Sequence, residues 1–322
     1  MTLVKAINNA LDIKLQDNKD VVVYGEDVGY EGGVFRVTQG LQKKHGKDRV
    51  FDAPLAESGI AGTAVGMAVA GMKPVIEMQF SGFAYPAFNQ TISHVSRMRN
   101  RSRGKYSSSM VIRMPYGGGI KALEHHSESM EAIYGHIPGL KVVIPSTPHD
   151  AKGLLISAIE SEDPVIYMEP KRIYRAVKQE VSEDKFNVDI GRANVVQQGS
   201  DVTVVSYGAM MRDTQKALAL AKKAGISVEL IDLRTIYPID KDTIINSVKK
   251  TGRIVIVSEA PTSFSIGSEL MATANEEAFL YLEAPPKRVS GFDTIFPLPQ
   301  GEHHYLPSPE KIYYEIERTV KF

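Results

Sequence analysis

The chain has 322 residues, 43% apolar and 24% charged, with 38 basic against 38 acidic side chains and no net formal charge. That length suits two domains, the mix is that of a globular rather than a disordered chain, and the balance gives no electrostatic reason for nucleic acid or an anionic membrane as partner. The lack of Cys excludes disulfides, a thiol nucleophile, thiolate zinc and iron–sulfur ligation.

The N-terminus reads directly as a helix. Leu3, Ile7, Leu11 and Leu15 form one stripe behind Thr2, a candidate N-cap. It shows neither a secretory apolar stretch nor an Arg-rich transit pattern, so a cytoplasmic protein is expected. The longest apolar run, 59–72, is rich in Gly and Ala and shorter than the roughly 20 residues a membrane span needs. Short β-branched runs at 21–24, 49–51, 74–78, 110–113, 141–144 and 164–167 predict strands. Helical periodicity at 58–70, 86–101 and 150–159 predicts helices between them. Strands apolar on both faces suit burial between helix layers, so the sheets should be mostly parallel. A polar stretch, 171–189, reads as an interdomain connection. The pattern then restarts with strands at 202–205, 227–231 and 254–257 and helices at 209–223 and 241–250. Gly225 stands where a helix C-cap belongs, and a last helix should cover 309–319. The expected fold is α/β, two three-layer domains spanning 1–185 and 190–322.

Ligands of open parallel sheets bind at the carboxyl ends of the strands. The first predicted strand runs into Gly25-Glu26-Asp27, the second into Pro54-Leu55-Ala56-Glu57-Ser58-Gly59, and the third into Gln79-Phe80-Ser81-Gly82-Phe83. The fourth is followed by Gly117-Gly118-Gly119 and then Glu124-His125-His126-Ser127. Glu57 opens a helix so rich in Gly and Ala that it must pack closely, and a carboxylate there is stabilised by free amides and the helix dipole. It reads equally as an ordinary first-turn acid. His125-His126 precede Ser127, a candidate N-cap with Glu128 and Glu131 in the first turn, and read equally as a solvated pair. The triple glycine suits either backbone approach to a ligand or a flexible loop. Arg97, Arg99, Arg101, Arg103 and Lys105 suit either phosphate or a solvated face. The eight His residues show no zinc spacing. No GxGxxG, GxxxxGK[ST] or GxSxG occurs, which removes the main support for dinucleotide, P-loop and α/β-hydrolase readings.

Taken in order, these segments resemble the beta subunit of the thiamine-diphosphate-dependent decarboxylating component of 2-oxoacid dehydrogenase complexes, over essentially the whole length. The carriers are Gly25-Glu26-Asp27-Val28, the run 49–59 through Glu57, Glu77-Met78-Gln79-Phe80, His126-Ser127, the run Pro138 to Pro145, and Asp150 to Leu155. In the second half they are Ile231 to Ile236, Lys250-Thr251-Gly252-Arg253 and Leu282-Glu283-Ala284-Pro285. The resemblance implies a transketolase-like thiamine-diphosphate-binding fold, with a pyrimidine-binding domain (1–185) and a transketolase C-terminal-like domain (190–322). It implies that Glu57 faces the cofactor's pyrimidine ring, where a carboxylate bonded to a ring nitrogen favours the imino tautomer and makes the cofactor its own base. Phe83 is implied to pack on that ring, with Gln79 and Leu55 lining the pocket. His126 is implied to assist the oxo-acid intermediate and acyl transfer to lipoamide. Potassium ligands are implied at Met110, Ala158, Ile159, Ser161 and Asp163.

Thiamine enzymes hold magnesium and the diphosphate with Gly-Asp-Gly and a later Asn, and no Gly-Asp-Gly occurs here. Gly25-Glu26-Asp27 is no substitute, because Val28 stands where glycine is required. The resemblance therefore implies a half-site completed by an alpha chain in a heterotetramer of two alpha and two beta subunits, served by a lipoyl-bearing dihydrolipoyl acyltransferase. The substrate is expected to be a small 2-oxoacid. Glu169-Pro170, Tyr174-Arg175-Ala176, Glu259-Ala260-Pro261, Gly291 to Thr294 and Phe296-Pro297 resemble branched-chain enzymes more than pyruvate enzymes, which implies branched-chain acids. Phe83 leans to pyruvate, and acetoin is the third option. The rival readings are a nicotinamide dehydrogenase and a non-catalytic scaffold subunit.

Overall fold

The computed structural model describes residues 1–322. It divides into two compact units, Met1–Tyr116 with Ile133–Ile190, and Gly117–Ala132 with Gly191–Phe322. A division read along the sequence does not anticipate the excursion of 117–132 into the second unit.

The first unit is built on β1(Val21–Gly25), β2(Val50–Asp52), β3(Lys73–Glu77), β4(Val111–Tyr116), β5(Lys141–Val143) and β6(Val165–Pro170). They lie in the order β5-β6-β4-β3-β1-β2, each neighbouring pair parallel. Every residue of β1, β4 and β6 is buried, as strands covered on both faces must be. The helix Leu3–Asp17 starts where Thr2 accepts from the Lys5 amide (3.4 Å) and packs against Pro148–Glu160, capped by Thr147.

Two sequence expectations change here. The helix expected over 86–101 is broken into Tyr85–Gln90, a wider turn at Thr91–Val95, and Met98–Arg101. Thr91 and Ser96 donate their hydroxyls to the carbonyls four residues back (3.0 and 2.9 Å), which competes with the regular ladder. The stretch 171–189, expected as an interdomain connection, is packed into the first unit. Lys152 donates to the Ser182 and Asp184 carbonyls, both at 2.7 Å, and Phe186 and Val188 fill the space beside Gly153.

The second unit carries β7(Asn194–Gln197), β8(Val202–Ser206), β9(Val228–Asp232), the short β10(Thr235–Tyr237), β11(Ile254–Val257) and β12(Lys287–Val289). Five of them form a sheet in the order β12-β11-β8-β9-β7, parallel except for β7 on β9. Val202, Val204, Leu230, Val255 and Val257 meet Met210, Leu218, Ile312 and Ile316 from two covering helices. The helix Lys241–Thr251 is capped by Asp240 and ends at Gly252, whose φ of 69° suits glycine. The last helix, Pro309–Val320, is capped by Ser308. β7, β10 and β12 escaped the sequence reading because they are short and only partly buried, so they lack the unbroken apolar run of the core strands. No helix is long and apolar enough to cross a membrane.

Candidate active site

In the first unit the site begins at Gly25, the last residue of β1. A Cβ there would stand 2.5 Å from the Glu77 carbonyl, so only glycine lets β1 and β3 end side by side. The chain then delivers Glu26 and Asp27. Glu57 is the first residue of the helix Glu57–Val69, and Ala56 gives no side-chain cap. The carboxylate therefore lies beside uncapped amides at the positive end of the helix dipole. Tyr24 holds that first turn by donating to the Ile60 carbonyl (2.9 Å).

Glu57 is half-buried and Glu26 is buried. Burial pushes the Glu26 carboxyl above its usual range, and the charges of Glu57 and then Asp27 add to the push. Three acids are thus gathered at one end of the sheet. Gln79 donates its amide to Asp27 (3.0 Å), which commits one side of that amide to holding the loop. The Phe83 ring is half-buried and stands edge-on to Phe80 at 5.3 Å, and Phe80 leans edge-on against Phe35. Leu55 is 80% exposed, an apolar side chain left open at the same turn that precedes Glu57. A carboxylate acceptor, a propped aromatic face and an open Leu fit a flat, protonatable heteroaromatic ring such as the pyrimidine of thiamine diphosphate.

His126 is carried by the second unit, on the segment 117–132. The ends of this loop meet where the Gly117 amide donates to the Glu128 carbonyl (3.0 Å). His126 closes the short helical turn Glu124–His126, where its own amide donates to the Leu123 carbonyl (3.0 Å). Its ring is half-buried, while His125 is exposed, with Nδ1 3.5 Å from Glu128. Ser127 is not the expected N-cap. Its hydroxyl donates back to the Leu123 carbonyl (3.0 Å), and the next helix starts only at Glu131.

The triple glycine is a close approach rather than a flexible loop. The Gly118 amide donates to Glu259 Oε2 (2.8 Å), and a Cβ on Gly118 would stand 2.2 Å from the Phe296 ring. Lys121 donates its amide to Glu302 Oε2 (3.1 Å). At the far end Glu131 is wholly buried and accepts from the Tyr207 hydroxyl (2.9 Å). Burial pushes its carboxyl up to about 7, the charge of Glu259 adds to the push, and its own backbone amide and Tyr207 pull against it. The roles of Glu131, Tyr207, Glu259, Phe296 and Glu302 in holding the His126 segment were missed by sequence reasoning. The residues are visible in the sequence, but nothing local joins them.

The five residues implied around potassium lie at the start of β4 and the end of Pro148–Glu160, and their carbonyls are engaged. Met110 accepts from the Val165 amide (3.0 Å), Ala158 from the Ser161 amide (3.3 Å) and Ile159 from the Lys73 ammonium (3.2 Å). Ser161 accepts from the Ser109 hydroxyl (2.6 Å) and Asp163 from the Ser161 hydroxyl (2.8 Å). Arg99 donates to the Asp163 carboxylate (2.6 Å), and the Lys141 ammonium lies 4.0 Å from it. One member of the basic run at 97–105 is thereby absorbed in an ion pair.

The family model described as the transketolase pyrimidine binding domain matches residues 1–177, and the transketolase C-terminal domain matches 191–312. The chain is 56% identical to a protein of Acholeplasma laidlawii named pyruvate dehydrogenase E1 component subunit beta, over 100% of this chain and 98% of that one. It is 51% identical to the protein of the same name from Mycoplasma pneumoniae, over 99% and 97%. Among solved structures, a split-gene transketolase described as an inactive beta4 tetramer shares the fold with a TM-score of 0.82 at 22% identity, covering 100% of this chain and 99% of that one.

Proposed function

The chain belongs to the beta subunits of the thiamine-diphosphate-dependent decarboxylating component of 2-oxoacid dehydrogenase complexes, and we propose that it serves in the oxidative decarboxylation of pyruvate. The sequence motifs leaned to branched-chain acids. The names of the similar full-length proteins move the reading to pyruvate, in line with Phe83. Thiamine diphosphate, when bound, supplies a carbon nucleophile and an electron sink for loss of carbon dioxide.

This chain's part is to hold the pyrimidine end. Glu57 would accept a hydrogen bond from a proton-bearing ring nitrogen, a charge-assisted bond worth roughly 1.5–3 kcal/mol. Phe83 packs on the ring face, and Leu55 and Gln79 close the pocket. His126 moves a proton during acyl transfer to a lipoyl group on an acyltransferase. An alpha chain brings the diphosphate and magnesium half, in a heterotetramer of two alpha and two beta chains. The observation that carries this reading is Glu57 itself, a half-buried carboxylate at a helix N-terminus, close enough to Glu26 to raise that acid.

The test is 2-oxoacid-dependent dye reduction by this chain mixed with its alpha partner, thiamine diphosphate and magnesium. Pyruvate should outrun 3-methyl-2-oxobutanoate. Glu57→Gln should lower the rate by about 10²–10⁴-fold, the range for a proton-transfer group. Activity that survives this substitution sinks the assignment of Glu57. A faster rate with the branched acid restores the substrate that the sequence motifs favoured.

A further inference from the structure

The segment that carries His126 is held to the second unit by carboxylates. Glu259 accepts from the Gly118 amide (2.8 Å), Glu302 accepts from the Lys121 amide (3.1 Å), and the segment contributes its own acid, Glu131. Glu131 is the unusual member. Both oxygens are shielded from solvent, Oε1 accepts from Tyr207, and Oε2 is buried with no hydrogen-bond partner. An ionised carboxylate in that position would leave a charged oxygen desolvated and unbonded, which is among the most expensive arrangements in a protein interior. A protonated carboxyl removes the charge and keeps the bond to Tyr207.

We propose that Glu131 is a positioning residue for His126: seated against Tyr207 in its neutral form, it locks the far end of the loop 117–132 while Glu259 locks the near end. The groups around it make the neutral form decisive. Tyr207, following β8, is itself in contact with Ser258. Glu259 follows β11 and acts on Glu131 as a like charge. Tyr305, on the short helix Glu302–Tyr305, feels the charges of both acids. Ionising Glu131 therefore sets two buried carboxylates against each other across one loop, and the one that must stay charged to hold Gly118 most strongly is Glu259. The loop should close when Glu131 is protonated and loosen when it is not. With its carboxyl pushed up to about 7 against an ordinary value of 4.5, the equilibrium for opening should rise about tenfold between pH 6 and pH 8. Glu131 need not touch the substrate to act; its effect reaches the chemistry through where the His126 ring stands.

The inference rests on the reading of His126 given above, so its test is chosen to stand apart from activity. Amide hydrogen exchange of the full chain, corrected for intrinsic rates, is followed at Gly118, Lys121, His126 and Ser127 across that pH range. The native chain should lose about tenfold in protection at these amides as the pH rises. Glu131→Gln, which keeps the shape and cannot ionise, should give protection that does not change with pH. Tyr207→Phe should lower protection throughout, and it serves as the second variant if the first folds poorly. A native loop with pH-independent protection overturns the proposal, as does a Glu131→Gln loop that still loosens with pH. In the assembled enzyme Glu131→Gln should flatten the alkaline fall of kcat and leave KM nearly unchanged. Exchange behaving as stated in an enzyme that does not decarboxylate pyruvate would sink the functional reading and leave the positioning role standing.

Discussion

Each unit buries a pair of acids, and the two pairs are handled in opposite ways. In the first unit Arg113 on β4 reaches Glu169 Oε1 through Nε (2.7 Å) and Glu77 Oε2 through Nη1 (2.8 Å), and Tyr174 donates to Glu169 (2.5 Å). All three charged groups are essentially without exposure. In the second unit Glu131 is met by a neutral hydroxyl and left with an orphaned oxygen near Glu259. A guanidinium gives the buried acids a fixed counter-charge and ties three strands to one another. A hydroxyl leaves the proton as the variable. The first arrangement builds a frame, and the second makes a loop that responds to pH.

The largest effect that sharpens this contrast should come from Arg113→Met. It leaves Glu77 and Glu169 buried without their counter-ion, and breaking a buried pair from one side costs about 3–5 kcal/mol. A thermal melt of the full chain should show a large fall in midpoint. An unchanged melt would mean that the acids take up protons at no cost and that the two units do not differ. Gly118→Ala should come next. The new Cβ collides with the Phe296 ring, and overpacking of this kind costs about 1–3 kcal/mol. Proteolysis should then open the chain within 117–128 before any other site, and cleavage elsewhere would refute the close-approach reading.

A change of pH probes the same contrast without mutation. Glu131 has a folded-state value above the unfolded one, so it binds its proton more tightly when folded. Its stabilising effect is complete below about 4.5 and is lost as the pH rises towards about 7. Comparing native chain with Glu131→Gln by urea denaturation at pH 5 and pH 8 isolates this share, and the native chain should lose more on going to the higher pH. The smallest expected effect is Ser308→Ala, the loss of a local cap on the last helix, at about 1 kcal/mol at both pH values.

Much of the fold was legible because its causes are local. Thr2 and Gly225 stand where their side chains or backbone freedom are needed, and the strands with two buried faces read as unbroken β-branched runs. Where the sequence misled, a side chain had a second use. Ser127 looked like a cap but donates to Leu123, and Thr91 and Ser96 bend a stretch whose apolar spacing is helical. Glu57 could be placed at its helix N-terminus from the sequence, because a strand, a turn and a Gly-rich helix announce it within a dozen residues.

The sequence by itself determined the buried core strands and most of the long helices beside them, that the sheets are mostly parallel, and that an acid opens the Gly-rich helix, since each depends on neighbours within a few residues. Only the tertiary structure decided that 117–132 belongs with the second unit, that Gly118 must be glycine because Phe296 lies against it, and that Glu131 depends on Tyr207. Those partners are 76 and more residues apart in the chain, and at such separations a contact leaves no period, cap or spacing in the sequence.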